Sequence, residues 1–248
     1  MKKILYSVAL AACCMGTMTS CSDFLDASNK SNVTAKQSFA TKEGLNNLVN
    51  DAYQHLQNVY AAPLFTSCFS AGTDMYADAR NKMNEALNTY ETLTPENTDI
   101  KNLYTYLYSG IRAANSVSYY AQTAQVDEKT KGQLVGEARV LAAYEYYLLV
   151  NNFGGVPIMK DFLTTADTGY PKSSSEDVYA YIISELEDVI SKNVLQASTA
   201  TKGGGRISQE TAKAILAKTY LSAAWDLNKQ DYFSKAAALA DEVIAGRK

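Results

Sequence analysis

The sequence predicts an all-α protein in which helical hairpins are joined by long irregular loops. Only 4 prolines and 13 glycines interrupt a chain of 248 residues that is rich in helix-forming side chains. Apolar residues recur at the three- and four-residue spacing of an amphipathic helix in six separate stretches, whereas no stretch alternates convincingly in the two-residue period of a strand. Apolar residues make up 47% of the chain, which is enough for a sizeable core.

Residues 1–20 are predicted to be a lipoprotein signal peptide. Lysines at positions 2 and 3 precede an apolar stretch, about residues 4–18, that is shorter than a membrane-spanning helix of ~20 residues. Small residues then lead to Cys21, an arrangement that resembles the lipobox at which bacterial lipoproteins are cut and acylated. We therefore expect lipid on Cys21 and a tether over residues 21–40. The alternative is an ordinary signal peptide that is cut elsewhere.

The remaining cysteines agree with this processing. Cys13 and Cys14 would leave with the signal peptide and Cys68 would remain alone, so no intrachain disulfide is expected. We interpret Cys68 as a small buried residue. Acyl chains on Cys21 would hold the protein on a membrane without any spanning helix.

Two amphipathic helices are predicted before residue 125, separated by an irregular region. Residues 61–96, which include Pro63, Gly72 and Pro95, form the least regular part of the chain and leave room for a short helix. The apolar stripes of the two helices are Leu45, Leu48, Val49, Ala52, Tyr53 and Leu56, and then Ile100, Leu103, Tyr104, Leu107, Tyr108 and Ile111.

A third helix is predicted to begin after Asp127 and to end near Asn152. Aspartate is a favoured N-cap residue, and Gly154, Gly155 and Pro157 cannot continue a helix. The apolar stripe of this helix is Leu134, Ala138, Leu141, Leu148 and Leu149.

Three more helices are predicted after a loop over residues 153–172. Ser173 and Glu176 form a capping-box pattern that opens the first of them, and residues 194–206 form a second loop. The last two helices form an antiparallel pair, with a joint at residues 226–231 and an end at Gly246. The three stripes are Val178, Ile182, Leu186, Val189 and Ile190, then Ala212, Ile215, Leu216, Tyr220 and Ala223, then Tyr232, Ala236, Ala240, Val243 and Ile244.

The last two helices resemble a tetratricopeptide pair. The sequence AKAILAKTYLSAAW, followed by DYFSKAAALADEVIA, has small residues at the facing positions, which let two helices approach closely. One such pair cannot bury its own outer face, so it has to stack on neighbouring elements. We expect Trp225, which lies in this pair, to belong to the core.

The composition disfavours several classes of function. A formal net charge of −3 and an isoelectric point of about 5.3 argue against a nucleic-acid partner. His55 is the only histidine of the sequence, so a multi-histidine metal centre or a histidine-paired triad is hard to build. The run of residues 203–206 lacks the ending of a phosphate-binding loop, and no cofactor is expected. Asp74 and Asp78 could share one face of a helical turn, but we interpret them as a solvated surface rather than a hydrolase pair.

The segment TDMYADARNKMNEALNTY, residues 73–90, has a composition that suits a carbohydrate site. Aromatic rings pack against the apolar C–H faces of sugars, and Asp, Asn and Arg side chains hydrogen-bond the hydroxyl groups. Many solvent-facing loops share this composition, so both interpretations stay open on composition alone.

Four stretches, in order, resemble the SusD/RagB family of nutrient-uptake outer-membrane lipoproteins. They are CSDFLD at residues 21–26, GEARVLAAYEYYLLVNNFGGVPIM at 136–159, SSEDVYAYIISELEDVI at 174–190 and GRISQETAKAILAKTYLSAAW at 205–225. The sequence departs from the family at Ala142, where Arg is usual, and at Gly155, where Asp is common. Family members run to roughly twice this length, so residues 41–248 are expected to be an N-terminal helical domain of an apparently truncated chain.

The resemblance implies a protein without catalytic activity. Such proteins are lipid-anchored at the outer membrane, face outward, cap a TonB-dependent (SusC-like) transporter and deliver oligosaccharides, or in some members peptides, to it. In starch-binding relatives the ligand contacts include loop residues after the first long helix, here about residues 73–84. The resemblance therefore implies Asp74, Tyr76, Arg80 and Asn81 as substrate-binding residues, with no catalytic or metal site.

Two alternatives from other classes remain. One is a tetratricopeptide-type lipoprotein scaffold that binds only protein or peptide. The other is a secreted hydrolase with paired carboxylates, which the single histidine and the lack of a nucleophile motif disfavour. We assign Glu137, Arg139 and Tyr144 to the scaffold, because a Glu and an Arg at this point of an amphipathic helix more often join neighbouring helices than touch a ligand.

Overall fold

The computed structural model describes residues 34–61, 63–76, 85–165, 169–197 and 205–246. The described residues from Lys36 onward form one compact unit. The described residues hold nine α-helices and no strand, which confirms the predicted fold class. In chain order they are α1 Ala35–Ser38, α2 Lys42–Tyr60, α3 Leu64–Phe69, α4 Glu85–Thr89, α5 Thr98–Ala121, α6 Glu128–Phe153, α7 Ser175–Lys192, α8 Gln209–Asp226 and α9 Asp231–Ala245.

The ends of α6 follow from the residues that flank it. The Asp127 side chain accepts a hydrogen bond from the Thr130 N–H at 2.9 Å and so caps the first turn. At the other end, Gly154 has a φ of 68°, a backbone conformation that favours glycine, and α6 stops at Phe153. Both predicted boundaries are confirmed to within a residue.

The capping box of α7 lies one residue later than predicted. Ser174, rather than Ser173, accepts from the Asp177 N–H at 3.1 Å, and the Asp177 carboxylate accepts from the Ser174 N–H at 3.3 Å. Three consecutive serines precede Glu176 and Asp177, so the sequence offers two registers that differ by one residue. Hydrogen bonding by Asp177 selects the later one.

The long helices pack in order along the chain, each against the next. α5 packs on α6, α6 on α7, α7 on α8 and α8 on α9, while α2 packs against both α5 and α6. Lys213 at the start of α8 meets Glu242 near the end of α9, and Trp225 meets Phe233 across the joint, so these two helices are antiparallel as predicted.

The core runs through the predicted apolar stripes of α2, α5, α6, α7 and α8, with α6 at its centre. The predicted stripe of α9 is largely wrong as a core face, because only Ala236 is buried and Ile244 is 61% exposed. Leu141, Tyr146 and Leu149 of α6 have an exposed fraction of 1% or less. Trp225 is different: it is 73% exposed, so its assignment to the core is wrong. Trp225 lies one turn after Leu221 on the outer side of α8. Leu221 lines a shallow groove between α8 and α9, on a side of α8 that does not pack on α7.

The loop after α6 is fixed on α5 and α6 by side-chain hydrogen bonds. The Tyr108 hydroxyl donates to the Pro157 carbonyl at 2.7 Å, and the Asn115 amide donates to the Met159 carbonyl at 2.9 Å. The Met159 N–H donates to the Tyr146 hydroxyl at 2.7 Å. These bonds position the following residues, including Phe162, against the side of α5.

Candidate functional site

The sequence-predicted site lies in the irregular region between α2 and α5. Asp74 and Tyr76 share the turn that follows α3; Asp74 is exposed and Tyr76 half-buried. Arg80 and Asn81, the other two predicted binding residues, lie outside the described residues, as do Asp78 and the predicted lipid-bearing Cys21. The structure therefore brings two of the four binding candidates together, and the position of the other two stays a prediction.

The turn after α3 is held by backbone contacts rather than by apolar packing. The Thr73 hydroxyl donates to the Ser70 carbonyl at 2.7 Å, and the Tyr76 N–H donates to the Thr73 carbonyl at 3.3 Å. Met75, between the two candidate residues, is 94% exposed. This part of the turn therefore presents its side chains to solvent.

Gly72 attaches the turn to α4 at a position where a side chain would not fit. Its φ is 75°, and a Cβ atom there would lie 2.1 Å from the Tyr90 hydroxyl oxygen and 2.7 Å from the Leu87 carbonyl oxygen. The Gly72 N–H also donates to the Asn88 side-chain oxygen at 3.3 Å. Close approach of the turn and α4 thus places Tyr90, which is 59% exposed, beside the candidate loop.

A cavity of about 310 Å³ lies beneath this loop, between α3, α4, the start of α5 and the end of α6. Cys68 of α3 lines this cavity. Burial raises the pKa of its thiol to about 11, so at neutral pH the side chain is a thiol and not a reactive thiolate. Cys68 is half-buried, less so than predicted, and its Sγ atom lies 3.7 Å from the Asp99 carbonyl oxygen. The lining residues are Ser67, Cys68, Ala71, Leu87, Tyr90, Ile100, Leu103, Asn152 and Phe153.

An aromatic surface formed by Tyr60, Phe65 and Phe69 stands next to the turn. The ring centroids of Tyr60 and Phe65, and those of Phe65 and Phe69, are 5.4 Å apart. Tyr60 and Phe69 are nearly parallel, with an interplanar angle of 10°. Tyr60 is 42% and Phe65 38% exposed, so the surface offers ring faces to solvent.

The aromatic surface was not predicted from the sequence, because it lies before residues 73–90, the segment whose composition suits a carbohydrate site. The usable signal lay earlier: Phe65 and Phe69 are four residues apart and therefore share one face of α3. The Tyr60 hydroxyl is hydrogen-bonded to that of Tyr144, which fixes the ring of Tyr60 at the end of α2.

Glu137 is a scaffold residue, as predicted, at the centre of a buried polar network. Its exposed fraction is 0%, and one of its carboxylate oxygens lies 2.7 Å from Nε of Arg206. The Tyr53 hydroxyl donates to the same carboxylate at 3.2 Å, and the Gln133 amide donates to its other oxygen at 3.1 Å. The network joins α2, α6 and the residues that precede α8.

Arg139 likewise joins helices. Its guanidinium bonds the Glu185 carboxylate at 2.7 Å and the Asp188 carboxylate at 2.5 Å, both on α7. The scaffold assignment of Arg139 and Glu137 is therefore confirmed by their contacts.

The described residues contain neither a candidate metal site nor a candidate membrane-spanning helix. No group of three or more His, Cys, Asp or Glu side chains in the described ranges is arranged to hold a metal ion. No helix within the same ranges is both long and apolar enough to cross a membrane.

Comparison with known proteins identifies the family. A SusD-like family described as "Starch-binding associating with outer membrane" matches residues 23–221. A SusD-like protein of Bacteroides ovatus is 29% identical over 134 residues, which cover 52% of this chain and 24% of the relative. A SusD-like protein of Formosa agariphila is 27% identical over 190 residues, which cover 75% of this chain and 36% of the relative. The chain thus spans about a quarter to a third of the length of these relatives.

Solved structures match the same fold. The surface glycan-binding protein A of Bacteroides uniformis is 26% identical, with a TM-score of 0.69 over 82% of this chain and 46% of that protein. A SusD homologue of Bacteroides thetaiotaomicron is 21% identical, with a TM-score of 0.71 over 88% of this chain and 43% of that one. A laminarin-binding SusD-like protein is 23% identical, with a TM-score of 0.67 over 80% of this chain and 42% of that one. On the family match, which extends over most of the sequence and confirms the resemblance in its motifs, the chain belongs to the SusD-like family.

Proposed function

We propose that this chain is a non-catalytic, surface-exposed protein that binds oligosaccharides and passes them to a TonB-dependent transporter of the outer membrane. Membership of a family described as starch-binding supports carbohydrate as the ligand class. Two proteins of similar structure, a surface glycan-binding protein and a laminarin-binding protein, point to the same class.

The observation that carries the proposal is the half-exposed aromatic surface beside the turn with Asp74 and Tyr76. The rings of Tyr60 and Phe65 offer a flat apolar area on which the C–H face of a sugar can pack. The exposed carboxylate of Asp74 can accept hydrogen bonds from sugar hydroxyls. Arg80 and Asn81 are proposed to add donors and acceptors to the same ligand.

The proposal includes a lipid anchor at Cys21 and a position on the outer face of the outer membrane. Cys21→Ala should abolish incorporation of labelled palmitate and release the protein from the membrane fraction, because the acylated thiol and amine would be lost. Unchanged labelling and fractionation would contradict the anchor without bearing on sugar binding.

A second candidate function is a scaffold that binds only protein or peptide. It is favoured by the apolar outer face of the α8–α9 pair, where Leu221, Trp225 and Ile244 are 47%, 73% and 61% exposed. The two functions differ in which aromatic side chains matter: Trp225 for a protein partner, and Tyr60 with Phe65 for a sugar.

Native affinity electrophoresis in gels that contain starch, laminarin or another polysaccharide tests the proposal. At least one polysaccharide should retard the full chain, and Tyr60→Ala and Phe65→Ala should each weaken that binding about tenfold, because each removes a ring face. Trp225→Ala removes an even more exposed aromatic ring from the α8–α9 pair and serves as the control, with unchanged retardation. Retardation that is lost in Trp225→Ala but kept in both other variants would contradict the proposed surface.

A further inference from the structure

A second cavity, of about 320 Å³, lies between the middle of α2 and the second half of α5. Asp51 and His55 line it from α2, and Ser109, Arg112 and Ser116 line it from α5. The first cavity meets α5 at Ile100 and Leu103 and the second begins at Ser109, so their nearest lining residues on this helix are about 9 Å apart at 1.5 Å per residue. The second cavity, named the α2–α5 cavity below, is thus distinct from the candidate loop and the aromatic surface.

One end of the α2–α5 cavity is aromatic. The ring centroids of Phe39 and Tyr120 are 4.9 Å apart, and those of Tyr120 and Phe162 are 5.8 Å apart. The Arg112 guanidinium carbon lies 5.1 Å from the centre of the Phe162 ring. Phe162 belongs to the loop that Asn115 and Tyr146 fix on α5 and α6, so this wall is held in place by the hydrogen bonds described above.

The other end is rich in hydrogen-bond acceptors. The Ser109 and Ser116 hydroxyls donate to the carbonyls of Thr105 and Ala113 at 2.8 and 2.6 Å, so their oxygens offer only lone pairs to anything else in the cavity. Ser116 is 5% exposed, which makes this acceptor a buried one.

His55 and the exposed Asp51 line the same cavity from α2. His55 Nε2 lies 3.9 Å from the Asp51 carboxylate, which is too far for a hydrogen bond. His55 Nδ1 is buried and has no hydrogen-bond partner among the described residues.

This arrangement selects for a ligand with many hydroxyl groups. The Asp51 carboxylate and the Ser109 and Ser116 hydroxyls can accept hydrogen bonds. The Arg112 guanidinium, which forms no ion pair with another described residue, can donate them. A hydroxyl group supplies both at once. The rings of Phe39, Tyr120 and Phe162 suit the apolar C–H face that a sugar presents on its other side.

We propose that the α2–α5 cavity binds a single neutral sugar residue and is a second carbohydrate site of this protein. The inference rests on the proposed function for its ligand class, but it uses none of the same residues. A volume of about 320 Å³ is at the lower end of the range for small-molecule pockets, which favours one sugar ring over a longer chain.

The single histidine provides a direct probe of this site. Because His55 is the only histidine in the sequence, the imidazole signals in ¹H–¹⁵N and ¹H–¹³C spectra of the labelled chain need no further assignment. We would titrate the full chain with D-glucose, D-galactose, maltotriose and laminaritriose. At least one of these sugars should shift the His55 signals in a saturable manner.

Two variants and two controls complete the experiment. Arg112→Ala and Phe162→Ala should each raise the dissociation constant measured at His55 about fivefold to tenfold. Lys101→Ala removes an exposed cation from the same helix outside the cavity, and Trp225→Ala removes an exposed ring elsewhere; neither should change it. Arg112 is exposed, so its variant should fold, which circular dichroism and thermal unfolding of each variant would check.

The outcomes separate this inference from the proposed function. His55 signals that respond to none of the sugars, or only linearly up to high concentration, overturn the second site even if affinity gels still show polysaccharide binding. A saturable response that Arg112→Ala and Phe162→Ala leave unchanged overturns it as well. A saturable, variant-sensitive response in a chain that no polysaccharide retards supports the second site and counts against the aromatic surface.

Discussion

Glu145 shows how a single buried residue can make the stability of this protein depend on pH. It lies on α6 with an exposed fraction of 0%, and neither carboxylate oxygen has a hydrogen-bond partner among the described residues. Burial raises the pKa of this carboxyl well above its ordinary value, so the folded protein favours the neutral acid. The unfolded chain ionises at the ordinary pKa of a glutamate.

Glu145→Gln should reduce the loss of stability that occurs as pH rises. Between the unfolded and the folded pKa the native state binds more protons than the unfolded state, so the free energy of unfolding falls by up to about 1.4 kcal/mol per pH unit in that window. Glutamine cannot ionise and lacks this contribution. Urea unfolding of both proteins at pH 5 and pH 8 measures it: the wild type should lose more stability than the variant. An equal pH dependence of the two would show that Glu145 titrates normally in the fold.

Gly110 of α5 is the position against which the Glu145 carboxyl packs. A Cβ atom at Gly110 would lie 1.7 Å from a Glu145 carboxylate oxygen, so alanine there would require the fully buried Glu145 carboxyl group to move. Gly110→Ala should therefore lower the free energy of unfolding by about 2 kcal/mol through overpacking.

Gly132→Ala is the matched control for Gly110→Ala. Gly132 also lies within a helix, but there a Cβ atom would make only an ordinary 3.4 Å contact with Val194. Alanine is the better helix former, so this variant should gain about 0.5–1 kcal/mol. Chemical denaturation measures the free energy of unfolding of both variants. Equal changes in the two would contradict the close contact between Gly110 and Glu145.

The Glu137–Arg206 network acts between helices. Arg206 bonds the side-chain oxygens of Asn50 and Asn46 on α2 at 3.0 and 3.3 Å while its Nε atom pairs with Glu137 on α6. Tyr53 joins the same two helices to the start of α8, because its hydroxyl also accepts from the Ile207 N–H at 2.8 Å. Three elements far apart in sequence are thus held at one buried point.

Arg206→Met should destabilise the fold by about 3 kcal/mol, because it leaves a fully buried carboxylate without its cation. The additional change Glu137→Gln should recover part of this loss by removing the unpaired charge. Lys213→Met, at the more exposed Lys213–Glu242 pair, is the control and should change stability by no more than about 0.5 kcal/mol. A loss at Arg206 no larger than at Lys213 would mean that the network is not a determinant of stability.

The individual helices could be predicted from the sequence, because their apolar residues recur at helical spacing and residues that favour helix ends flank them. The register of the α7 capping box could not, because adjacent serines and acidic residues compete and the hydrogen bonds decide between them. The exposure of Trp225 also escaped prediction. A stripe on a helix shows which side is apolar, but the packing partners of that side decide whether it is covered.

The candidate site was predictable only in part, for a related reason. Composition and resemblance placed Asp74 and Tyr76 in a loop, and the structure brings both into one turn. The aromatic surface depends on α2 ending at Tyr60 beside α3, and the α2–α5 cavity depends on Phe162 folding back over α5. Both are consequences of tertiary packing that no local sequence pattern reports.

For the whole molecule, the fold and the family agree on a SusD-like helical scaffold, on which we propose two separate sugar-binding surfaces. The matches cover less than half of the relatives and similar structures, so the ligand and the transporter partner are proposals for this chain. The absence of turnover is a proposal as well. The central claim of the account is that the chain binds glycans without cleaving them.

The most direct test is to incubate the purified full chain with each polysaccharide of the panel. Two quantities are then measured in the same samples: the fraction of protein retained on the polysaccharide and the number of new reducing ends. We expect the protein to be retained on at least one polysaccharide, with no increase in reducing ends over a protein-free sample. Retention on none of them, or new reducing ends that accumulate with time, would contradict it.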